Sequence, residues 1–589
     1  MKIERFLDPK LGGTKDAAAL TTFAAGLVGA HPNLLGGSIA MAGAALCAAS
    51  TNYIVNRVAR PVEKANVIEA KLDVRSAAAL TSPDGLLLGF ATDTGNPVYL
   101  PDEDLMRHGI ILGQSGVGKT VLGKLMMFQQ IQRGGGLMFI DGKMNADDIN
   151  TIYQYCKFCG REQDLLILNP GKPELSHTYN PILYGDPDEI AARVLSLIPS
   201  TENNPGADHY KQSANQGIST LVAALQAANL AFNFIDFTIL LMNHKAIEDL
   251  EVRLKRTVPN HPATKNLSLF LEQYKGGGKP GSGNENMVDI KRLKETFGGI
   301  GGRMYMFGTG KFGEVLNTYT PDINLFEAIR SNKIIYAALP TMGKNEAASN
   351  FGKMLLGDLR TSISWVQGLP EAERPWPPYL TFMDEVGSYA VASLARPFEQ
   401  ARSAQIALFP AAQTLANLEV VSPDFKEMVV GNTWTKIFFK LGTQGTAEEC
   451  ADLIGQTIGV SRTLAIGANT SASSPTIGLT PEGNSGESAG LNESEKEQEE
   501  YKVTPDELKS LGKGECVVMY GGDTIFNVRV PMLDLDKKLK EKLGPFKLLP
   551  IRRLPVVGAD YFKNSDKYIG GKSSNGGRAK QPVDMLADE

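Results

Sequence analysis

Gly113-Gln114-Ser115-Gly116-Val117-Gly118-Lys119-Thr120 is the stretch from which the rest of this chain is read. It fits G-x-x-x-x-G-K-[ST], a loop whose backbone N–H groups close around phosphate oxygens. The apolar segment Ile110-Ile111-Leu112 before it reads as a buried strand. Val121 to Gln132 after it, carrying Leu122, Leu125, Met126 and Phe128, reads as a helix. A helix N-terminus adds favourable partial charge beside a bound anion. The pattern assigns Lys119 to the β- and γ-phosphates and the Thr120 hydroxyl to Mg²⁺. ATP with Mg²⁺ is therefore the expected ligand of residues 113–120.

A second stretch completes the chemistry. Tyr379-Leu-Thr-Phe-Met-Asp384-Glu385 is an apolar strand ending in two carboxylates. Beside a phosphate loop, its C-terminal end would face the bound phosphate. Asp384 is then expected to hold Mg²⁺, directly or through water. Glu385 is expected to polarise the attacking water as a general base. Gln413, which follows the apolar run Gln405–Phe409, would sense the γ-phosphate through its amide. Arg402, ahead of that run, is either an arginine supplied to a neighbouring subunit's nucleotide or an ordinary exposed arginine.

Composition sets the frame. The 589 residues allow about three to four domains of typical size. With 42% apolar and 21% charged residues, the bulk is globular with ample core. A net charge of −5 argues against a surface that is basic all over, while leaving room for a lysine- and arginine-lined channel. Five cysteines do not make a disulfide framework, and Cys156-x-x-Cys159 lacks a second pair at zinc-ligand spacing. The reading is two incidental thiols in a reducing cytoplasm.

Two apolar runs near the N-terminus, Ala17–Ala30 and Leu34–Val55, flank His31-Pro32-Asn33. The second is long enough to cross a bilayer. Arg57, Arg60 and Lys64 after it, and Lys2, Arg5, Lys10 and Lys15 before the first, suggest a hairpin with both ends in the cytoplasm. The alternative is a water-soluble alanine-rich hairpin. Residues 1–65 are thus expected to be a membrane anchor, and 66–183 the first half of a nucleotide-binding domain. There Leu137–Asp141 and Leu165–Leu168 read as buried strands with a helix around Ile149–Cys159 between them. Strand–helix alternation of this kind implies a parallel sheet covered on both faces. From 184 to 320 the pattern is helical: Ile218, Leu221, Val222 and Leu225 make one apolar stripe. Further helices are expected over Phe237–Leu254, Lys265–Tyr274 and Met287–Phe297, around the glycine-rich loop 276–283. Strands resume at Lys333–Ala338, Tyr379–Met383, Gln405–Phe409 and Lys436–Leu441. They supply the second half of the motor over 321–550, which ends in a strand pair at Cys516–Tyr520 and Thr524–Val530. Residues 467–500, rich in Ser, Gly, Asn and Glu, read as a flexible acidic loop. Residues 551–589 read as a flexible tail.

The fold expected is α/β: a RecA-like phosphate-loop motor with a parallel-rich sheet, an all-α insertion and an N-terminal transmembrane hairpin. The segments GQSGVGKT at 113–120, FIDGK at 139–143, FMDE at 382–385 and ARSAQIALFPAAQ at 401–413 resemble the coupling proteins of type IV secretion systems. These are TraD/TraG-like ATPases related to the FtsK DNA translocases. NTWTKIFFKLGTQGTAEECADLIG at 432–455 and VTPDELKSLGKGECVVMY at 503–520 are similar to later segments of that family. The resemblance covers about residues 85–530. It implies a homohexamer at the bacterial inner membrane, with its motor in the cytoplasm. Such a hexamer would hand DNA–relaxase complexes, effector proteins or both to the components of a secretion channel. Two other readings compete: an FtsK-like translocase working on DNA without a secretion partner, and a recruitment platform whose nucleotide controls assembly.

Overall fold

The computed structural model describes residues 71–143, 146–198, 205–276, 288–340, 345–469, 488–522, 524–551, 555–563 and 565–568. The two apolar runs read as a membrane hairpin lie outside the described residues. So do 277–283 of the glycine-rich loop, 470–487 of the acidic segment and 569–589 of the tail. No helix among the described residues is long and apolar enough to cross a membrane.

In chain order the strands are β1 (Lys71–Asp73), β2 (Gly85–Ala91), β3 (Pro97–Pro101), β4 (Gly109–Leu112) and β5 (Leu137–Asp141). There follow β6 (Leu165–Leu168), β7 (Ile334–Ala338), β8 (Tyr379–Met383), β9 (Ile406–Ala412) and β10 (Thr435–Phe439). The last five are β11 (Gln456–Asn469), β12 (Ser488–Tyr501), β13 (Glu515–Tyr520), β14 (Thr524–Arg529) and β15 (Met532–Asp534). Eleven of them form one sheet, in the order β3-β2-β14-β13-β10-β4-β9-β8-β5-β7-β6. From β10 to β6 every pairing is parallel, and from β13 to β3 every pairing is antiparallel. The sheet is therefore mixed and mostly parallel.

The residues explain this split. Every position of β4, β5, β6, β7 and β8 is buried, as a parallel strand covered on both faces requires. Successive side chains then serve opposite cores. Ile110 and Leu112 pack into one apolar cluster, and Ile111 into another on the far face. The helix Lys119–Gln132 belongs to the second cluster through Leu122, Leu125, Met126 and Phe128. It lies so close to the sheet that a Cβ on Gly123 would come within 2.8 Å of the Phe382 ring and 3.0 Å of the Phe139 ring. Those rings stack on each other with centroids 5.0 Å apart. A glycine in the middle of a helix is thus required by packing, not by the helix.

Between β6 and β7 the described residues form helices and no named strand. The helices are Pro187–Leu195, Pro205–Ala227, Phe234–Met242, His244–Thr257, Pro262–Glu272, Ile290–Gly308, Gly310–Leu316 and Leu325–Arg330. The single helix expected over Phe237–Leu254 is in fact two. Asn243 turns extended between them, and its side-chain oxygen accepts from the N–H groups of Lys245 (3.0 Å) and Ala246 (3.4 Å). That is an N-cap, which competes with helix continuation.

One expectation is corrected. Much of the acidic segment read as a flexible loop is strand: β11 and β12 pair antiparallel from Gln456↔Tyr501 to Asn469↔Ser488. Its Ser, Gly and Glu are poor strand formers by propensity, and backbone pairing over fourteen positions outweighs that. Glu493, Glu495, Glu497 and Glu499 recur at every second residue. This is the strand period, and it is the signal that could have found the ribbon.

Candidate nucleotide-binding site

The glycine-rich loop sits where β4 ends and the helix Lys119–Gln132 begins. Its backbone is fixed from three sides. The Gly113 N–H donates to Ala412 O at the end of β9 (3.3 Å), and the Gln114 N–H to Lys440 O past the end of β10 (3.0 Å). The Gly514 N–H donates to Val117 O from the turn before β13 (2.8 Å). Within the loop, Gly116 has φ +77° and Gly118 φ +128°, values that glycine adopts without strain. A Cβ on Gly116 would meet no atom within 4 Å, so the mouth of the loop is open. Lys119 is 4% exposed. Its ammonium curls back over the loop and donates to the carbonyls of Gly113 (2.5 Å) and Gln114 (2.9 Å). Burial pushes it down to about 8, and the Asp384 carboxylate works the other way. Among the described residues the ammonium's hydrogen bonds go to carbonyls, and a phosphate would supply a full counter-charge.

The acidic strand stands one place away from β4, with β9 between them. β8 lies between β5 and β9, and Asp384 follows its last residue. The Thr120 hydroxyl donates to Asp384 Oδ2 at 3.0 Å. Asp384 is 0% exposed, and among the described residues its other oxygen, Oδ1, has no hydrogen-bond partner. Burial raises this carboxyl above the usual range, against the Lys143 ammonium and the Thr120 hydrogen bond. A buried bare carboxylate oxygen beside a hydroxyl is costly unless something binds it. A hydroxyl, one carboxylate and room for water are what Mg²⁺ takes, since it keeps several waters and needs few protein ligands. These residues therefore fit the implied Mg²⁺–nucleotide.

Glu385 has φ +53° and ψ +42°, a left-handed conformation that is uncommon for a residue with a side chain and clusters at functional sites. Reading the sequence did not assign a role to its partner. The Lys143 ammonium lies 3.2 Å from Glu385 Oε1 and 3.8 Å from Asp384 Oδ2. Burial disfavours the Lys143 charge, but the Asp384 and Glu385 carboxylates outweigh it and hold the ammonium above its ordinary range. Lys143 is placed by the turn after β5, where its N–H donates to Asp141 Oδ1 (2.8 Å). Asp141 Oδ2 in turn accepts from the buried Tyr336 hydroxyl (2.5 Å). The signal for Lys143 was the segment FIDGK, noted only for its resemblance.

Gln413 follows β9 and is exposed, at the same edge of the sheet as the loop. Arg402 is not brought to this site. It lies four residues before β9 begins, in the turn ahead of Ile406, which pairs with Tyr379 at the start of β8. Because β4, β8 and β9 are parallel, Arg402 stands at their opposite, N-terminal edge. Arg402 bears on His108, the buried residue just before β4, whose imidazole is pushed down to about 4 by burial first and by Arg402 second. Arg402 is exposed.

Cys156 and Cys159 are free thiols at the end of the helix Ala146–Phe158. Among the described residues no group of histidine, cysteine and carboxylate side chains could hold a metal ion by itself.

Comparisons with known proteins find similar sequences and folds. Residues 378–513 match the family model described as the TraM recognition site of TraD and TraG. The chain is 24% identical over 387 residues to the type 4 coupling protein DotL of Legionella pneumophila. That match covers 59% of this chain and 49% of DotL, so the chain spans about half the length of this curated relative. Among solved structures, the conjugative coupling protein TrwB without its first 70 residues, unbound, aligns with a TM-score of 0.48 at 15% identity, over 79% of this chain and 93% of that one. TrwB in complex with ADP and Mg²⁺ aligns at 0.48 and 14%, over 80% and 95%. The chain resembles the coupling proteins of type IV secretion systems.

Proposed function

We propose that this chain is the ATP-hydrolysing coupling protein of a type IV secretion system, recruiting cargo and delivering it to the secretion channel. The observation that carries the reading is the pairing of the Thr120 hydroxyl with the buried, half-unsatisfied Asp384 at the mouth of the glycine loop. Likeness to DotL and to the TraD/TraG segment supports the place in secretion.

In this reading, Gly113, Gln114, Ser115, Gly116, Val117 and Gly118 offer backbone N–H groups to the phosphates, and Lys119 gives up its carbonyl contacts to bind the β- and γ-phosphates. Thr120 and Asp384 would hold Mg²⁺, and the ion would neutralise the charge that develops on the transferred phosphate. Glu385 accepts the proton of the attacking water. Gln413, which follows β9, offers an amide to the γ-phosphate side. Arg402, on the opposite edge of the sheet, reaches a nucleotide only if it belongs to the next subunit of a ring, and a homohexamer meets that condition. The anchor is assigned to residues 1–65, the motor halves to 66–183 and 321–550, and the helical insertion to 184–320. The partners are then the inner membrane, channel components, and DNA with its relaxase or effector proteins.

Two measurements test this together. Purified protein should hydrolyse ATP in a Mg²⁺-dependent manner, and pull-down from secretion-competent cells should recover channel components. ATPase activity stimulated by DNA with no channel component recovered would favour a translocase without a secretion partner.

A further inference from the structure

The ion pair between Lys143 and Glu385 has no role in the chemistry derived so far. Two strands far apart in sequence create it. β5 and β8 are neighbours with Ile140 opposite Met383, so the turns after them emerge side by side and bring residues 143 and 385 together. The contact is close on the backbone side too. A Cβ on Gly142 would lie 3.2 Å from Glu385 Cβ and 3.3 Å from Asp384 O. Glu385 itself sits in a left-handed conformation, so its side chain leaves the strand end along a path that ordinary residues avoid. A glutamate has three side-chain torsions, and nothing in its backbone alone fixes where the carboxylate points. The Lys143 ammonium, 3.2 Å from Oε1, is a contact that does.

We infer that Lys143 is a positioning residue for Glu385: its ammonium pins Oε1 and leaves Oε2 directed for proton acceptance. The inference rests on the hydrolytic role proposed for Glu385. It assigns Lys143 no contact with nucleotide. A general base works only within hydrogen-bond reach of the proton it takes, and a misplacement of about 1 Å can cost about 10²-fold in rate. The turn after β5 serves as the fixed side of this clamp, because Asp141 holds the Lys143 N–H and the Tyr336 hydroxyl holds Asp141.

The test uses the full chain in four forms: wild type, Lys143→Met, Lys143→Arg, and Lys143→Met combined with Glu385→Gln. Steady-state ATP turnover, affinity for a fluorescent non-hydrolysable ATP analogue and the melting temperature without nucleotide are measured for each. Lys143→Met should lower kcat by about 10-fold or more, with KM and analogue affinity within about threefold and melting unchanged. Lys143→Arg, which keeps a cationic donor, should recover most of the rate. In the Glu385→Gln background, where residual hydrolysis is followed over long single-turnover times, Lys143→Met should slow it no further, because both changes act through one carboxylate. Unchanged kcat in Lys143→Met, or a loss carried by KM and analogue affinity, overturns the inference. An additive loss in the double variant also overturns it. A wild-type chain that neither binds the analogue nor hydrolyses ATP refutes instead the nucleotide reading beneath it, and the inference falls with that reading.

Discussion

Lys119 and His108 bracket one short strand, and burial treats each as its place demands. At the C-terminal end of β4, Lys119 is a buried cation whose contacts are two carbonyls and whose nearest carboxylate is Asp384. Lys119→Ala should therefore abolish nucleotide binding and turnover while leaving the fold intact. The check is ATPase activity alongside circular dichroism, and turnover near wild type would refute the phosphate role. At the N-terminal end, His108 has φ +65° and accepts the Leu408 N–H at Nδ1 (3.2 Å). Its folded value, about 4, lies below the ordinary histidine value. The folded state therefore binds fewer protons than the unfolded one. This stability is fully present above about pH 6.5 and is lost as pH falls toward 4. The melting temperature should drop over that window, and His108→Asn, a residue that tolerates positive φ, should flatten the drop. An equal slope in both proteins would contradict the assignment.

At the scale of elements, the legible part was the strands. Continuous apolar runs such as Leu137–Asp141 and Tyr379–Met383 can only be buried on both faces, and all are in the sheet. The loop and the acidic strand were legible as a candidate site because phosphate chemistry needs those residue types in those positions. Lys143 was not legible as a functional residue. Its partner Glu385 is far away in the chain, and only the β5–β8 register joins them. Asn243 and the β11–β12 ribbon were missed because capping geometry and backbone pairing overrode the local pattern. The helix Lys119–Gln132 offers a direct test of how packing overrides propensity. Gly123→Ala gains about 1 kcal/mol of intrinsic helix preference. It also drives a methyl group into the Phe382 and Phe139 rings, and overpacking of that kind costs about 1–3 kcal/mol. The net effect should be a loss, read as a lower denaturant midpoint. A stabilised variant would show that the helix is free to move off the sheet.

For the whole molecule, the placement of Arg402 at the ends of β8 and β9 opposite the phosphate loop is the informative result. In the ring we propose, Arg402 would act across a subunit boundary. Loss of a trans arginine costs on the order of 10³-fold in other nucleotide hydrolases. Arg402→Ala should then nearly eliminate turnover while sparing nucleotide binding. Mixed with Glu385→Gln protein, it should regain some activity, because a mixed ring contains boundaries where both residues are intact. Co-assembled mixtures with no activity would reduce Arg402 to a surface residue near His108. The most direct test of the central claim, a Mg²⁺–ATP hydrolysis site built from Thr120, Asp384 and Glu385, is a single-turnover assay on Glu385→Gln protein with radiolabelled ATP and Mg²⁺. The account predicts that the variant retains bound ATP, uncleaved, in near-stoichiometric amount while wild type releases phosphate. Release of phosphate by the variant at the wild-type rate, or failure of both proteins to retain ATP, would contradict it.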